Sequence, residues 1–112
     1  MHELSIVCSI VELASQAAQG RHVRRVTIEI GALSGVEPQA VAFCFPEVAR
    51  GTPVEDATLD IREVDAEARC DVCGAEFPTP DMLSACPCGS RQFQRLCGEE
   101  LNIKSIEVEE AA

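Results

Sequence analysis

Five of the seven cysteines of this chain lie in one short segment, residues 69–97. Four of them form two close pairs, Cys70-x2-Cys73 and Cys86-x-Cys88, and a glycine directly follows each pair. Pairs this close let their sulfurs converge on one ion, and four thiolates satisfy the tetrahedral preference of zinc. The spacing therefore predicts a structural zinc site that leaves no coordination position open for a reacting water.

The same segment constrains the fold, because it is too short to bury enough apolar surface to fold without help. Metal binding worth about 10 kcal/mol or more, as in zinc-finger peptides, supplies the missing stability. Cys97 lies close enough in sequence to substitute for one of the four ligands. The rival interpretation is a Cys-x-x-Cys redox pair, which the absence of a βα pattern around either pair disfavours.

The remainder of the chain has the hydrophobic periodicities of an α+β fold. Helical spacing runs from Leu4 to Gly20 and again from Pro38 to Gly51. Alternating apolar residues predict three strands, at residues 26–30, 58–64 and 101–108. We expect the two helices to pack on a three-stranded sheet, with a zinc-ribbon-like module inserted before the last strand.

The order of these segments predicts two domains. Residues 1–68 form an α+β domain, a strand within residues 98–110 returns to complete its sheet, and residues 69–97 form the zinc-binding module. The chain has four Phe and no Trp or Tyr, so the core of the larger domain must be built from aliphatic side chains.

Three local features carry further predictions. Pro46 should kink the second helix or end its first part, because proline lacks the helical N–H donor. The apolar alternation of the last strand slips around Lys104-Ser105, which predicts a β-bulge. Cys8 and Cys44 fall within apolar helical patterns and are predicted to be core residues rather than ligands.

The formal net charge is −10, from 19 acidic and 9 basic side chains. Such a surface repels phosphate backbones and anionic membranes, so we expect neither a nucleic-acid nor a membrane partner. No apolar stretch reaches the ~18 residues of a transmembrane helix, and the N-terminus lacks the basic region of a signal peptide. We therefore expect a cytoplasmic protein, and in that reducing compartment clustered cysteines indicate metal before disulfides.

Other functional classes compete with metal handling. A zinc-ribbon nucleic-acid module would carry basic and aromatic residues around its knuckle, whereas Asp71, Glu76 and Asp81 surround this one. The sequence has no Gly-rich phosphate loop, open three-ligand zinc site or nucleophile–base motif, so we predict that it is not an enzyme. A zinc-stabilised protein-interaction scaffold without nickel chemistry remains open as the alternative.

The N-terminus offers a second set of metal ligands. The α-amine of Met1, the amide nitrogen of His2 and its imidazole can form adjoining chelate rings around one ion. Glu3 can complete the set through its amide or its carboxylate. A flat, nitrogen-rich arrangement of this kind favours Ni(II) or Cu(II) over zinc. A terminal histidine is more often simply solvated, so His2 by itself leaves both interpretations open.

Nearly the whole chain resembles the HypA/HybF family of nickel-insertion proteins for NiFe-hydrogenase maturation. The resemblance rests on the two cysteine pairs and on three further stretches in the same order: Met1–Val7, Ile28–Val36 and Gly98–Glu107. It implies a two-part architecture, with a nickel-binding α+β domain and a zinc module.

The resemblance also implies a nickel site at Met1, His2 and Glu3, where Ni(II) is transient cargo and the zinc ion is structural. Glu37 occupies a loop position that the family links to nickel, although as the residue before a helix it also favours the helix dipole. The implied partners are a HypB-type maturation GTPase, the hydrogenase large subunit and, for some members, urease accessory proteins. We expect a monomer or a weak homodimer.

The chain departs from the family at Cys86-Pro87-Cys88, where the family usually has two residues between the cysteines. Cys97 is an additional thiol shortly after this pair. The fourth zinc ligand is therefore open between Cys88 and Cys97, whereas the prediction of zinc itself is unaffected.

Overall fold

In a computed structural model, which describes residues 3–110, the chain forms two helices and two small sheets. The elements in chain order are α1 (Glu3–Ala18), β1 (Val23–Gly31), α2 (Pro38–Ala49), β2 (Thr58–Val64), β3 (Glu67–Cys70), β4 (Glu76–Pro78), β5 (Phe93–Cys97) and β6 (Leu101–Val108). The first sheet has the order β2-β1-β6 and the second sheet the order β4-β3-β5. The predicted α+β fold class is confirmed.

β1 lies at the centre of the first sheet, parallel to β2 and antiparallel to β6. The side chains that alternate along β1 on its apolar face share one core with both helices: Val26, Ile28 and Ile30. The other face is polar, and there Arg25 lies 3.9 Å from Asp60 and 3.8 Å from Glu107. The sheet is therefore covered by helices on one face and charged on the other.

Both helices run antiparallel to β1. α1 is joined to β1 by residues 19–22 alone, so the chain must reverse its direction there. α2 connects the parallel strands β1 and β2 and so must run back between them. As a result, both helices begin at the end of the first sheet where β1 ends and β6 begins.

The first sheet and its helices surround an aliphatic core. α1 contributes residues at the spacing of one helical face, beginning with Val7, Ile10, Val11 and Ala14. The complete set of buried core residues is Val7, Ile10, Val11, Ala14, Ala18, Val23, Val26, Ile28, Ile30, Val36, Val41, Phe45, Ala49 and Val54. Phe45 is the only aromatic residue among them, in agreement with the composition.

Pro46 does not end the second helix, which continues to Ala49. Proline at this position removes the hydrogen bond that the carbonyl of Ala42 would otherwise accept. Both residues are exposed, so water can solvate that carbonyl, and Val41, Phe45 and Ala49 keep the opposite face in the core. The prediction that a first part of the helix ends at Pro46 is therefore wrong, whereas the alternative of a kink stays a prediction.

Other local predictions have mixed outcomes. Thr27 of β1 pairs with Ser105 of β6, and Ile28 of β1 pairs with Ile103. Lys104 is therefore the extra residue of a bulge in β6, as predicted. Cys44 is half-buried against the first core, but Cys8 is exposed, so its assignment to the core is wrong. The inward positions of α1 are taken by its neighbours in the helix, and Cys8 points away from them.

The second sheet has a much smaller core. β3 lies between β4 and β5 and is antiparallel to both. Its buried residues are Ala68, Cys70, Phe77 and Cys86, and Phe93 packs against them. The rings of Phe77 and Phe93 meet edge to face, with their centroids 5.3 Å apart. Two of the four buried residues are thus cysteines.

The chain crosses between the two sheets twice, before β3 and after β5. The crossings meet at the turn after β1, where Ala32 N–H donates to the Val64 carbonyl at 2.9 Å and Leu33 N–H to the Gly98 carbonyl at 2.7 Å. A Cβ at Gly31 would lie 2.2 Å from the Gly98 backbone, and a Cβ at Gly98 would lie 2.3 Å from Cβ of Ala66. Glycine is therefore required at this junction.

The molecule is elongated, with extents of 57 × 27 × 16 Å and a radius of gyration of 17.4 Å. A compact chain of this length would have a radius of gyration of about 13 Å. Within residues 3–110, neither helix has the length and apolar character needed to cross a membrane.

Candidate metal centre

Four cysteine sulfurs converge at one end of the second sheet. Cys70 ends β3 and Cys73 lies in the turn that follows, whereas Cys86 and Cys88 lie in the loop between β4 and β5. The four Sγ atoms all lie within 4.8 Å of one another. Sγ of Cys70 is 3.7 Å from Sγ of Cys88, and Sγ of Cys73 is 3.5 Å from Sγ of Cys86.

Two backbone turns bring these sulfurs together. In the first turn, Cys70 N–H donates to the Ala75 carbonyl at 2.9 Å, and Gly74 N–H returns to the Cys70 carbonyl at 3.0 Å. Gly74 has a φ of 76°, in the left-handed region that glycine adopts without strain. The Val72 N–H donates to Sγ of Cys70 at 3.4 Å. Amide hydrogens of this turn therefore point at Sγ of Cys70.

The second turn has the same plan with one residue fewer. Cys86 N–H donates to the Ser90 carbonyl at 3.0 Å, and Gly89 N–H donates to the Cys86 carbonyl at 2.8 Å. Gly89, with a φ of 95°, takes the place that Gly74 has in the first turn. The shorter spacing of Cys86 and Cys88 is therefore accommodated by a tighter turn, and both sulfurs still reach the group.

The arrangement fits a zinc ion. A tetrahedral site with Zn–S bonds of about 2.3 Å places its sulfurs about 3.8 Å apart. The separations of 3.5 Å and 3.7 Å are close to that value, and the whole set lies within 4.8 Å. Four thiolate donors also suit zinc better than a hard cation such as Mg²⁺.

The electrostatics of the group favour a cation. The Cys73 amide that faces Sγ of Cys70 is the main influence on this thiol and lowers its pKa to about 6, against the opposing effect of burial. The Cys88 amide acts in the same direction on Cys86, but burial and the three neighbouring sulfurs outweigh it and raise the pKa of Cys86 to about 12. Four adjacent thiols resist ionising together, and a divalent cation removes that repulsion.

Cys97 is not part of this group. It ends β5 on the side of the sheet nearest the junction, and its Sγ donates to the Asp65 carbonyl at 3.2 Å. Between the two residues that the sequence left open, the structure brings Cys88 and not Cys97 to the other three cysteines.

Of the predicted nickel residues, the structure describes Glu3 and Glu37, which belong to the two helices and not to the second sheet. Met1 and His2 lie outside the described residues, and Glu3 is the first residue of α1. Glu37 is the N-cap of α2, where its carboxylate accepts a hydrogen bond from Gln39 N–H at 3.3 Å. Glu3 begins α1 and Glu37 directly precedes α2, and both helices begin at the same end of the first sheet.

Sequence reasoning missed the residues that shape the junction. Gly98 has a φ of 111°, and its N–H donates to the Glu100 carboxylate at 2.6 Å. The available signal was a glycine followed by two glutamates directly before a strand, which indicates a turn but does not reveal that Gly31 and Ala66 both approach Gly98 there.

The family model described as "Hydrogenase/urease nickel incorporation, metallochaperone, hypA" matches residues 1–108. A "Hydrogenase maturation factor HypA" from a Nostoc species is 48% identical over 110 residues, covering 98% of this chain and 97% of the relative. A protein with the same description from Geobacter metallireducens is 46% identical over 110 residues, covering 97% of this chain and all of the relative.

Two solution structures are similar over nearly the whole chain. The Ni metallochaperone HypA from Helicobacter pylori has a TM-score of 0.69 at 27% identity, and the match covers 96% of this chain and 97% of that one. A second structure, described as HypA protein, has a TM-score of 0.71 at 29% identity and covers 97% of each chain.

Proposed function

The chain belongs to the HypA family of hydrogenase and urease nickel-incorporation metallochaperones, and on that basis we propose that it binds Ni(II) at its N-terminus and delivers it during NiFe-hydrogenase maturation. A metallochaperone carries an ion without transforming it, so the chain is not an enzyme. The observation that carries the proposal is the extent of the family match, which begins at residue 1 and so includes the residues that we propose as ligands.

The proposed ligands are the α-amine of Met1, the amide nitrogen and imidazole of His2, and Glu3. The start of α1 at Glu3 supports this set, because the first amides of a helix have no intrahelical acceptor. A metal can therefore take a terminal amide nitrogen without breaking a helical hydrogen bond. Ligand exchange at a chain terminus also suits an ion that must be released, and acid should promote release by protonating the nitrogen ligands.

Glu37 is proposed as an additional nickel residue. Both helices begin at the same end of the first sheet, so the N-cap of α2 and the first residue of α1 share that end. The hydrogen bond from Gln39 N–H occupies one carboxylate oxygen of Glu37 and leaves the other for a ligand.

The second metal of the proposal is zinc, held by Cys70, Cys73, Cys86 and Cys88. The sulfur separations support this assignment, and with four thiolates the ion has a structural role. We divide the chain accordingly into a nickel-binding domain, residues 1–68 completed by residues 98–110, and a zinc-binding module, residues 69–97. The presence of two separate sheets supports a division of this kind, although β3 begins at Glu67, two residues before the proposed boundary.

Delivery requires proteins that accept the ion. We propose transient association with a HypB-type GTPase and with the hydrogenase large subunit in the cytoplasm, and with urease accessory proteins where urease is also served. The family description names both hydrogenase and urease, which supports this range of recipients.

The deciding experiment is a calorimetric titration of tag-free, zinc-loaded protein with Ni(II). We expect about one tight nickel site per chain in the wild type and its loss in His2→Ala, because the imidazole closes one of the chelate rings. The chain has two histidines, so His22→Ala is the matched control and should bind nickel as the wild type does.

Equal nickel binding by wild type and His2→Ala would contradict the N-terminal site. The absence of tight binding in the wild type would instead favour the zinc-stabilised interaction scaffold. A second test is an N-terminal tag, which blocks the α-amine: the proposal expects the tag to abolish the tight site, whereas the scaffold expects no effect.

A further inference from the structure

An apolar groove lies between α1 and the first half of β6. It has a volume of about 500 Å³. Its apolar lining comes from Ile6, Ile10 and Leu13 on the helix and from Leu101 and Ile103 on the strand. Leu13 is 57% exposed and Leu101 is 38% exposed, so the apolar lining continues onto the surface. We call this feature the α1–β6 groove.

The groove opens beside a free sheet edge. Within residues 3–110, β6 pairs with β1 on one side and has no strand on the other. An edge strand of eight residues presents a row of unpaired N–H and C=O groups, which natural proteins usually cover or block with charge or proline. β6 contains no proline and only Lys104 and Glu107 as charged residues, so its edge is able to accept another strand.

One extended segment could pair with the β6 edge and place side chains in the groove at the same time. An extended segment pairing with β6 would direct every second side chain toward the helix-covered face of the sheet. Leu101 and Ile103 point to that face, because they pair with the core residues Ile30 and Ile28 of β1. Alternate apolar side chains of the added segment would therefore enter the α1–β6 groove, while the residues between them would face solvent.

The charge around the groove identifies the complementary ligand. α1 carries Glu3 and Glu12 and no basic residue, and Glu99 and Glu100 directly precede β6. Lys104 opposes them on the strand, and Arg95 of β5 lies 3.7 Å from the Glu99 carboxylate. The uncompensated acidic charge therefore comes mainly from Glu3, Glu12 and Glu100. A second copy of the chain would bring the same acidic residues and a net charge of −10 against this rim, which repels it. A basic segment gains from the same field.

We propose that the α1–β6 groove is a docking site for an extended segment of a partner protein, in which apolar residues alternate with lysine or arginine and which adds as a strand to β6. Main-chain hydrogen bonds to the β6 edge supply affinity, and the groove selects the alternating apolar residues. This inference concerns the groove alone and does not depend on nickel binding at the N-terminus.

The test uses the full-length, zinc-loaded protein and a synthetic heptapeptide in which lysine and valine alternate, Lys-Val-Lys-Val-Lys-Val-Lys. Binding is followed by NMR shifts of amide resonances and by the change in apparent affinity with salt. We expect shifts in residues 101–105 and in the first half of α1, and weaker binding at higher salt. A peptide of the same composition with its valines in one block is the matched ligand control and should bind about tenfold more weakly.

Three variants separate the groove from general charge attraction. Leu101→Asp and Leu13→Asp change the two walls of the groove, and Leu83→Asp introduces the same charge at a residue of the cysteine module that is 76% exposed. We expect both groove variants to weaken binding about tenfold, although their added negative charge would by itself attract the peptide. Leu83→Asp should bind at least as well as the wild type.

Equal loss of affinity in Leu83→Asp, or none in the groove variants, would overturn the proposal. Binding of the blocked peptide as strongly as the alternating one would also overturn it, since simple charge attraction would then suffice. A dimer that dissociates in Leu101→Asp, detected by sedimentation, would identify a second copy as the occupant in place of a basic partner. NMR spectra of each variant exclude a loss of folding as the cause.

Discussion

The two sheets of this molecule are stabilised by different physical means. Among residues 3–110, the first sheet and its helices surround 14 buried apolar residues, whereas the second sheet has four, two of which are cysteines of the candidate metal centre. The hydrophobic core of the first sheet stabilises it without any ion. The second sheet buries too little apolar surface to offset the conformational entropy that its residues lose on folding. We therefore propose that one chain combines a region stabilised by its core with a cysteine module that depends on a bound metal.

The charge differs between the two regions as well. Residues 67–97 carry three basic and four acidic side chains, whereas the rest of the chain carries six basic and fifteen acidic ones. Nearly all of the net negative charge therefore belongs to the first sheet and its helices. A basic partner is drawn to the region that begins with the proposed nickel ligands, and the cysteine module remains almost neutral.

The strongest test of this contrast is removal of the metal. Chelation of zinc-loaded protein at neutral pH should unfold the second sheet, because four buried residues cannot replace about 10 kcal/mol of metal binding. The first sheet should persist. Amide hydrogen exchange would report this as lost protection in β3 and β5 with retained protection at Ile28 and Ile30 in β1.

The reverse outcome is equally informative. Retained protection in β3 after complete removal of the metal would mean that the second sheet folds on its own core. Loss of protection in both sheets would mean that the junction transmits unfolding from one region to the other, so that the two regions are a single cooperative unit.

The second prediction sharpens the identity of the ligands. Cys88→Ser should lose most of the bound zinc, because a serine hydroxyl is a poor zinc donor and only three thiolates remain. Cys97→Ser is the matched control, since its sulfur contacts the Asp65 carbonyl and not the group. The measurement is zinc content per chain by mass spectrometry after gel filtration. Equal zinc loss in both variants would return Cys97 to the ligand set.

The smallest expected effect concerns the connection between the two regions. Gly98→Ala forces a Cβ to within 2.3 Å of Ala66 at a φ of 111°, so we expect a loss of about 3 kcal/mol or more in the free energy of unfolding. Gly35→Ala also has a positive φ, 79°, but its Cβ would meet open space, and a loss of about 1 kcal/mol is expected.

Denaturant unfolding of the zinc-loaded protein, followed by circular dichroism, measures both values. Equal losses in the two variants would show that backbone strain alone matters at Gly98 and that the close contact with Ala66 relaxes easily. A loss confined to the second sheet would locate the effect in the module rather than at the junction.

Much of this architecture follows from local sequence signals. The spacing of Val7, Ile10, Val11 and Ala14 is sufficient to predict a helix, and the cysteine pairs predict two turns because each turn closes within a few residues. The bulge at Lys104 was equally visible, since it shifts the apolar alternation within a single strand. In each case the residues that determine the feature are neighbours in the chain.

The features that could not be predicted depend on residues far apart in sequence. The choice between Cys88 and Cys97 is made by the pairing of β5 with β3, which directs Cys97 to Asp65. Cys8 lies in an apolar pattern, and only the packing of α1 on the first sheet decides that it faces solvent. The α1–β6 groove likewise exists only because a helix from the start of the chain lies beside its last strand.

The position of β6 at the end of the element order has a consequence for synthesis. During translation, β1 emerges early but its antiparallel neighbour appears only after the whole cysteine segment has been made. The cysteine segment is continuous in sequence, so it can acquire its ion while the first sheet still has two strands. Until β6 is made, one edge of β1 and the part of α1 that packs on β6 are uncovered on the nascent chain, and during this interval the protein is most exposed to aggregation or to a chaperone.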